Sequence, residues 1–357
     1  MKKEALIKLI RNIAFFVLLI ILTYWFIFKD QDMNQLLEVI RSANVGYMLL
    51  GVLAMVGFFL MEAINIKSLL KLFGDKISIF AAYKYTLIGF FFSAITPAAT
   101  GGQPVEIYYM NKDNVSGPHA TMALLIQLCG YQISTLGLGI ICAIFNFNLL
   151  SGGFIWLFLV GILINGIALA VMLICTFSKA LTRKLVNLVI KIMKFFRVKN
   201  MDAKIESIEL AISKYNESSD FIKNHKGEFA KSIFRVFIQI CVYYTVPFFV
   251  YKSFGLGEYN FLEMFTMQAV LYTTVSGLPI PGAVGISETV FLNIFKPAFG
   301  EKLISGAMLL TRFITFYFFV VVSLIVVIIN GCKKKKVEAQ IDKDIIEIEE
   351  KYSIEAS

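Results

Sequence analysis

Charge is scarce in this 357-residue sequence: Asp, Glu, Lys and Arg together supply 17% of it, against about 25% in an ordinary soluble domain. Histidine is scarcer still. His119 and His225 are the whole complement, and they share no HxxxH or other ligand spacing, so no metal site is predicted. The five cysteines, Cys129, Cys142, Cys175, Cys241 and Cys332, form no CxxC pair and no paired framework. Four lie in apolar blocks, where a thiol packs as a small hydrophobe. No Ser/His/Asp or Cys/His arrangement, nucleotide-binding loop or pair of catalytic carboxylates stands out, so neither an enzyme site nor a cofactor is predicted.

Apolar side chains fill that space. They make up 58% of the residues, 34 of them Phe, and mean hydropathy is +0.74. They gather in blocks long enough to cross a hydrocarbon core of roughly 30 Å. The fold class is therefore an all-α polytopic membrane protein. The net charge of +9 sits between these blocks and at the ends, as topology signals and headgroup contacts do. The predicted partner is a membrane, not a nucleic acid.

Six blocks have the length of full spans: about 12–28, 47–66, 119–145, 153–176, 232–252 and 303–330. The start, MKKEALIKLIRN and sixteen largely apolar residues, resembles a signal peptide but lacks a small-residue cleavage site. A retained first span is expected. Lys2, Lys3, Lys8 and Arg11 place the N-terminus in the cytoplasm by the positive-inside rule. Segment 177–231 carries twelve Lys/Arg against six Asp/Glu and belongs on the same side. It is read as an amphipathic helical insertion, with one helix about 185–196 and another about 201–223. Residues 1–331 then form one membrane domain, and 332–357 a charged cytoplasmic tail.

Two further apolar stretches, 80–96 and 262–278, run into Pro/Gly-rich sequence. Charge parity requires 80–118 to begin and end in the cytoplasm, and 253–302 to begin and end outside. The block 104–110 is too short to span at about 1.5 Å per residue. Each stretch is accordingly read as a re-entrant, broken helical hairpin. The tips match: Pro97 to Glu106 and Pro279 to Glu288 are each nine residues apart with glycines between. With opposite entry sides, this predicts an inverted repeat, a recurring plan of transporters.

Irregular backbone at membrane depth is tolerated only inside protein or along a watery cavity. A cavity is expected where the tips meet, lined by Gly101 and Gly102 from one and by Pro279, Pro281, Gly282 and Gly285 from the other. Glu106 and Glu288 open the return limbs, where a carboxylate can cap exposed N–H groups or line the cavity. Arg312 lies deep in the last span. An Arg there costs about 2.5–3.5 kcal/mol on insertion scales, so it needs a partner or water. That partner is either Glu288 or Glu106 in an ion pair, or a lipid phosphate. Gln127, Tyr131, Gln132, Gln239, Tyr243 and Tyr244 suit interhelical hydrogen bonds. Glu62 and Arg235 are placed near cytoplasmic ends, where they can snorkel.

At these motifs the sequence resembles the lysylphosphatidylglycerol synthase transmembrane-region family, the flippase-like membrane part of the bacterial multiple peptide resistance factor. The resembling elements are ITPAATGGQPVEIYY (95–109), GLPIPGAVGISE (277–288) and RFITFY (312–317). Ala283 departs from the family pattern, which often has a glycine there. The resemblance implies a bacterial inner-membrane protein that binds or translocates a polar anionic lipid, linked to cationic-peptide resistance. Its alternative is phosphatidylglycerol lysyltransferase, or a membrane subunit serving a separate soluble synthase. The longest extramembrane stretches, about 55 and 25 residues, are short for an aminoacyl-transfer domain, since domains usually need about 100–150 residues.

Overall fold

The computed structural model describes residues 33–96, 99, 101–146, 154–180, 183, 184, 187, 190, 191, 201–278, 283 and 285–330. The expected first span at 12–28, most of the 185–196 helix and the tail 332–357 lie outside these residues. Every regular element among the described residues is helical. In chain order they are α1 (Met33–Ser42), α2 (Val45–Leu72), α3 (Ile79–Ala94), α4 (Gly102–Lys112), α5 (Gly117–Phe145), α6 (Phe154–Phe177), α7 (Met201–Asn224), α8 (Lys226–Tyr244), α9 (Val246–Ser253), α10 (Phe261–Val275), α11 (Ile286–Ile294) and α12 (Lys296–Arg312). A π-helical turn, Phe313–Tyr317, prolongs α12, and the run continues to Asn330.

Five of these runs are long and apolar enough to cross a bilayer: Val45–Leu72, Gly117–Phe145, Phe154–Phe177, Lys226–Ser253 and Lys296–Asn330. They cover the five expected spans that fall within the described residues. The protein is a multi-pass, all-α membrane protein. The expected 232–252 span is divided at Thr245 between α8 and α9, with Pro247, which has no N–H for the helical ladder, in the first turn of α9. The last span starts earlier than expected, and Gly300, at φ 67°, breaks its first turn.

Local chemistry fixes the helix starts. Asn44 Oδ1 accepts from Gly46 N at 2.9 Å before α2, and Ser78 Oγ from Ala81 N at 3.0 Å before α3. Asn260 and Glu263 form a reciprocal capping box at α10, with bonds of 2.7 and 3.0 Å. The four helices α3, α4, α10 and α11 hold 16, 11, 15 and 9 residues. All fall below the ~20 residues that a spanning helix needs.

The packing pattern occurs twice. In the first half α2 packs on α3, α3 on α4, α4 on α5, and α5 back on α2; in the second, α9, α10, α11 and α12 close the same ring of contacts. The halves meet where α8 and α9 run along α2, and where α5 carries α8 and α10. Small residues permit close approach: a Cβ on Gly161 of α6 would lie 2.5 Å from the carbonyl oxygen of Thr273 in α10. Two amphipathic helices cross between halves. Helix α1 leads into α2 yet packs on α12, with Leu36 buried and Val39 seated over Gly306. Helix α7 leads into α8 yet packs on α5, with Ile212 and Ile222 buried.

Candidate functional site

The first hairpin closes through its polar tip. Thr96 Oγ1 accepts from Gly101 N at 2.9 Å and donates to the Phe92 carbonyl at 2.6 Å. Its limbs touch backbone to backbone. A Cβ on Gly102 would fall 2.0 Å from Ser93 Oγ and 2.8 Å from the Gly89 carbonyl oxygen, so no side chain fits there. Ala99, at φ 53°, turns the chain into α4, and Ala283, at φ 50°, does the same before α11. Each stands three residues before the first residue of its helix. The left-handed region favours glycine, which gives a physical sense to the glycine often found at the Ala283 position.

The two return limbs begin two residues out of step, and this separates their glutamates. Glu288 is the third residue of α11. Its Oε2 accepts from Gly285 N at 2.7 Å and from Ser287 Oγ at 2.8 Å, while its Oε1 accepts from Arg312 Nε at 2.7 Å. Glu106 is the fifth residue of α4, too far along to cap it. Its carboxylate lies over Gly89 instead, where an added Cβ would fall 1.8 Å from Oε1. Glu106 is 4% exposed, and its Oε2 has no hydrogen-bond partner.

Between the hairpins lies a cavity of about 460 Å³. Glu62 of α2, Glu106 of α4, Gln132 of α5, Gln268 of α10 and Arg312 of α12 face it. Aromatic rings of Phe59, Phe90, Tyr243, Tyr272 and Phe316 complete much of the wall. Tyr131 and Tyr272 hydroxyls are hydrogen bonded to each other across it. The Arg312 guanidinium sits 4.7 Å from the Phe316 ring centre. A buried chain of amides ends at the same cavity. Asn65 Nδ2 donates to Gln127 Oε1 (2.5 Å), Gln127 Nε2 to Gln239 Oε1 (2.8 Å), and Gln239 Nε2 to Glu62 Oε2 (2.9 Å).

Residues 12–323 match the family described as lysylphosphatidylglycerol synthase TM region. The chain belongs to this family. It is also similar to a UPF0104 membrane protein of Archaeoglobus fulgidus, at 22% identity over 294 residues, 82% of this chain and 88% of that protein. A UPF0104 membrane protein of Pyrococcus horikoshii is 22% identical over 311 residues, 84% and 90% of the two chains.

Within this lysylphosphatidylglycerol synthase TM region, Arg312 and Glu106 line the cavity together, whereas the expected lining glycines Gly101, Gly102 and Gly285 stand at the starts of α4 and α11 and are not among its lining residues. The ion-pair alternative for Arg312 is realised with Glu288, not with Glu106. Pro279, Pro281 and Gly282 lie outside the described residues. Gln127 and Gln239 make interhelical bonds as expected. The snorkelling expectation for Glu62 is wrong: it faces the cavity and is held by Gln239. Arg235 turns inward too, its Nη1 3.4 Å from Asn65 Oδ1. His119, near the start of α5, pairs with Asp75 at 2.6 Å. Glu62 had a signal in the sequence, since an acid inside an apolar block is expensive and marks function by default. The nearby Lys67 and Lys71 masked it by suggesting a helix end.

Proposed function

We propose that this chain takes the headgroup of a polar anionic phospholipid into the cavity between its hairpins and passes it from one leaflet to the other, as a flippase. We further infer a bacterial inner-membrane setting with both termini in the cytoplasm, and a role in lipid modification and cationic-peptide resistance. One observation carries the reading: Arg312 presents a guanidinium to a cavity of headgroup size while Glu288 fixes its orientation through Nε. A planar guanidinium matches phosphate geometry in a way an ammonium cannot. Ligand pockets commonly enclose about 300–1,000 Å³. The aromatic walls suit the glycerol and first acyl carbons. Residues proposed for the path are Arg312, Glu106, Glu288, Gly101, Gly102, Pro279, Pro281, Gly282 and Gly285.

Reconstitution into liposomes with headgroup-labelled phospholipids tests this. Phosphatidylglycerol should exchange leaflets faster than in protein-free vesicles and faster than phosphatidylcholine. Equal, unaccelerated exchange of both lipids defeats the reading. A second reading draws on the family description, which names a synthase: the chain serves, or acts as, a phosphatidylglycerol lysyltransferase. Lysyl-lipid formed by the purified chain from lysyl-tRNA and phosphatidylglycerol would favour it.

A further inference from the structure

Two acids of the cavity wall, Glu62 and Glu106, carry the wrong charge to hold a phosphate themselves. Two carboxylates, Glu62 and Glu106, line the cavity with one guanidinium, Arg312, which a third carboxylate, Glu288, already engages. Fully ionised, such a site repels an anionic headgroup. Glu62 and Glu106 lie close enough for their charges to repel each other. No group of three or more His, Cys, Asp or Glu able to hold a metal ion occurs among the described residues.

The hydrogen bonds around the two acids are unequal. The Asn65–Gln127–Gln239 chain is polarised: each amide uses its oxygen to accept from the one before and its nitrogen to donate to the next. The Arg235 guanidinium stands at its head and the Glu62 carboxylate at its tail. Every donor points towards Glu62, which stabilises Glu62 as the charged member. Glu106 Oε2 receives nothing, and two further oxygens of cavity-lining residues, Gln132 Oε1 and Gln268 Oε1, are buried acceptors without donors. Gln268 is only 3% exposed. A buried acceptor without a donor is costly. A proton on Glu106 turns this acceptor into a donor.

We propose that Glu106 is a proton-binding site whose loading is linked to the lipid headgroup, with Glu62 and its amide chain keeping the proton on Glu106. This rests on the lipid reading for its cargo. The step takes one proton from hydronium in the bulk water, breaking an O–H bond there and releasing water, forms one O–H bond at Glu106 and removes one negative charge from the cavity, so phosphate and proton favour each other's binding by linkage. The other titratable or charged groups on the cavity wall are Tyr131, Tyr243, Tyr272 and Arg312; α3, which packs along α4, contributes none. Glu106 has the geometry of the carrier. It stands in the second turn of the return limb, pressed on Gly89 between the two limbs of the hairpin.

The experiment uses proteoliposomes of phosphatidylethanolamine and phosphatidylglycerol, with headgroup-labelled phosphatidylglycerol as probe and an imposed pH gradient. With one proton per lipid, a one-unit gradient shifts the leaflet distribution about tenfold, the equivalent of ~1.4 kcal/mol. Glu106→Gln should lose that response whatever its residual rate, and Glu62→Gln should weaken it. Infrared difference spectra of the purified protein give a readout independent of transport. The protonated-carboxyl band of the wild type should vanish in Glu106→Gln and persist in Glu62→Gln. A wild type that moves lipid without regard to the pH gradient, or that follows a sodium gradient instead, overturns the proposal and leaves the lipid reading standing. A wild type that moves no lipid but shows the Glu106 band overturns the lipid reading and leaves the proton site. A wild type without the band overturns the site itself.

Discussion

Glu288 and Arg312 stand 24 residues apart and share one bond, Nε to Oε1 at 2.7 Å, across two helices that meet at the cavity. The same carboxylate holds the start of α11 through Gly285 N and Ser287 Oγ. One side chain thus joins the broken tip of a hairpin to the cation of the last span. The guanidinium is 13% exposed and the carboxylate 2%, so each depends on the other.

Arg312→Lys should keep the charge and membrane level but lose most lipid translocation, because an ammonium cannot reproduce the bidentate fork. Arg312→Gln strands a buried carboxylate, at a cost of about 3–5 kcal/mol. Glu288 retains two donors, which places this variant at the lower end. Combining Arg312→Gln with Glu288→Gln should restore membrane level without restoring translocation. Recovery of both by the double variant reduces the pair to architecture.

The repeat is also a topology statement. Cysteine placed at Lys112, at the exposed end of the first hairpin, should react with a membrane-impermeant thiol reagent only from the cytoplasm. Cysteine at the exposed Gly257, before the second hairpin, should react only from outside. Reaction of both from one face removes the inverted arrangement.

Gly102→Ala should open the first hairpin. The new methyl meets Ser93 Oγ at 2.0 Å and the Gly89 carbonyl oxygen at 2.8 Å, an overpacking of about 1–3 kcal/mol. Adding Ser93→Ala relieves only the first clash, since the second is with backbone. Thermal unfolding in detergent should therefore show a lowered midpoint that Ser93→Ala recovers only in part. Full recovery would place the tight contact elsewhere.

At the far end of that hairpin Asp113 accepts from Lys84 Nζ at 2.6 Å and from Tyr85 OH at 2.5 Å. Partial burial pushes its carboxyl up, but these two bonds, with the charges of Lys84 and Lys112, outweigh burial and hold it below the ordinary value of 3.8. A lowered folded-state value stabilises the fold above 3.8, and that stability fades as pH falls through the lower value. The carboxylate is 43% exposed, so solvent screens the effect to within ~1 kcal/mol. The melting-point gap between wild type and Asp113→Asn should be constant at neutral pH and close in acid. A gap that survives strong acid assigns the residue a packing role.

Spans and hairpins were legible because hydrocarbon length, charge parity and Pro/Gly breaks are local properties of the chain. Arg312 was legible as a charge in need of a partner for the same reason, with Glu288, Glu106 and a lipid phosphate all left open; the structure chooses Glu288. The unequal fates of Glu106 and Glu288 were not legible. Both stand nine residues after a proline, yet α4 and α11 begin two residues out of step relative to those glutamates. Only the helix start decides whether a carboxylate caps. Glu62 was hidden by neighbouring lysines, and the amide chain that orients it joins α2, α5 and α8, whose residues are distant in sequence.

The crossing of α1 and α7 sets the mechanics of the molecule. Each is the tether that feeds one half, yet each is seated on the helix that closes the ring of the other, α1 on α12 and α7 on α5. A half that tilts must lift its partner's tether or carry it along. The two halves are thereby coupled, since neither can shift as a rigid body without disturbing an amphipathic helix that leads into the other.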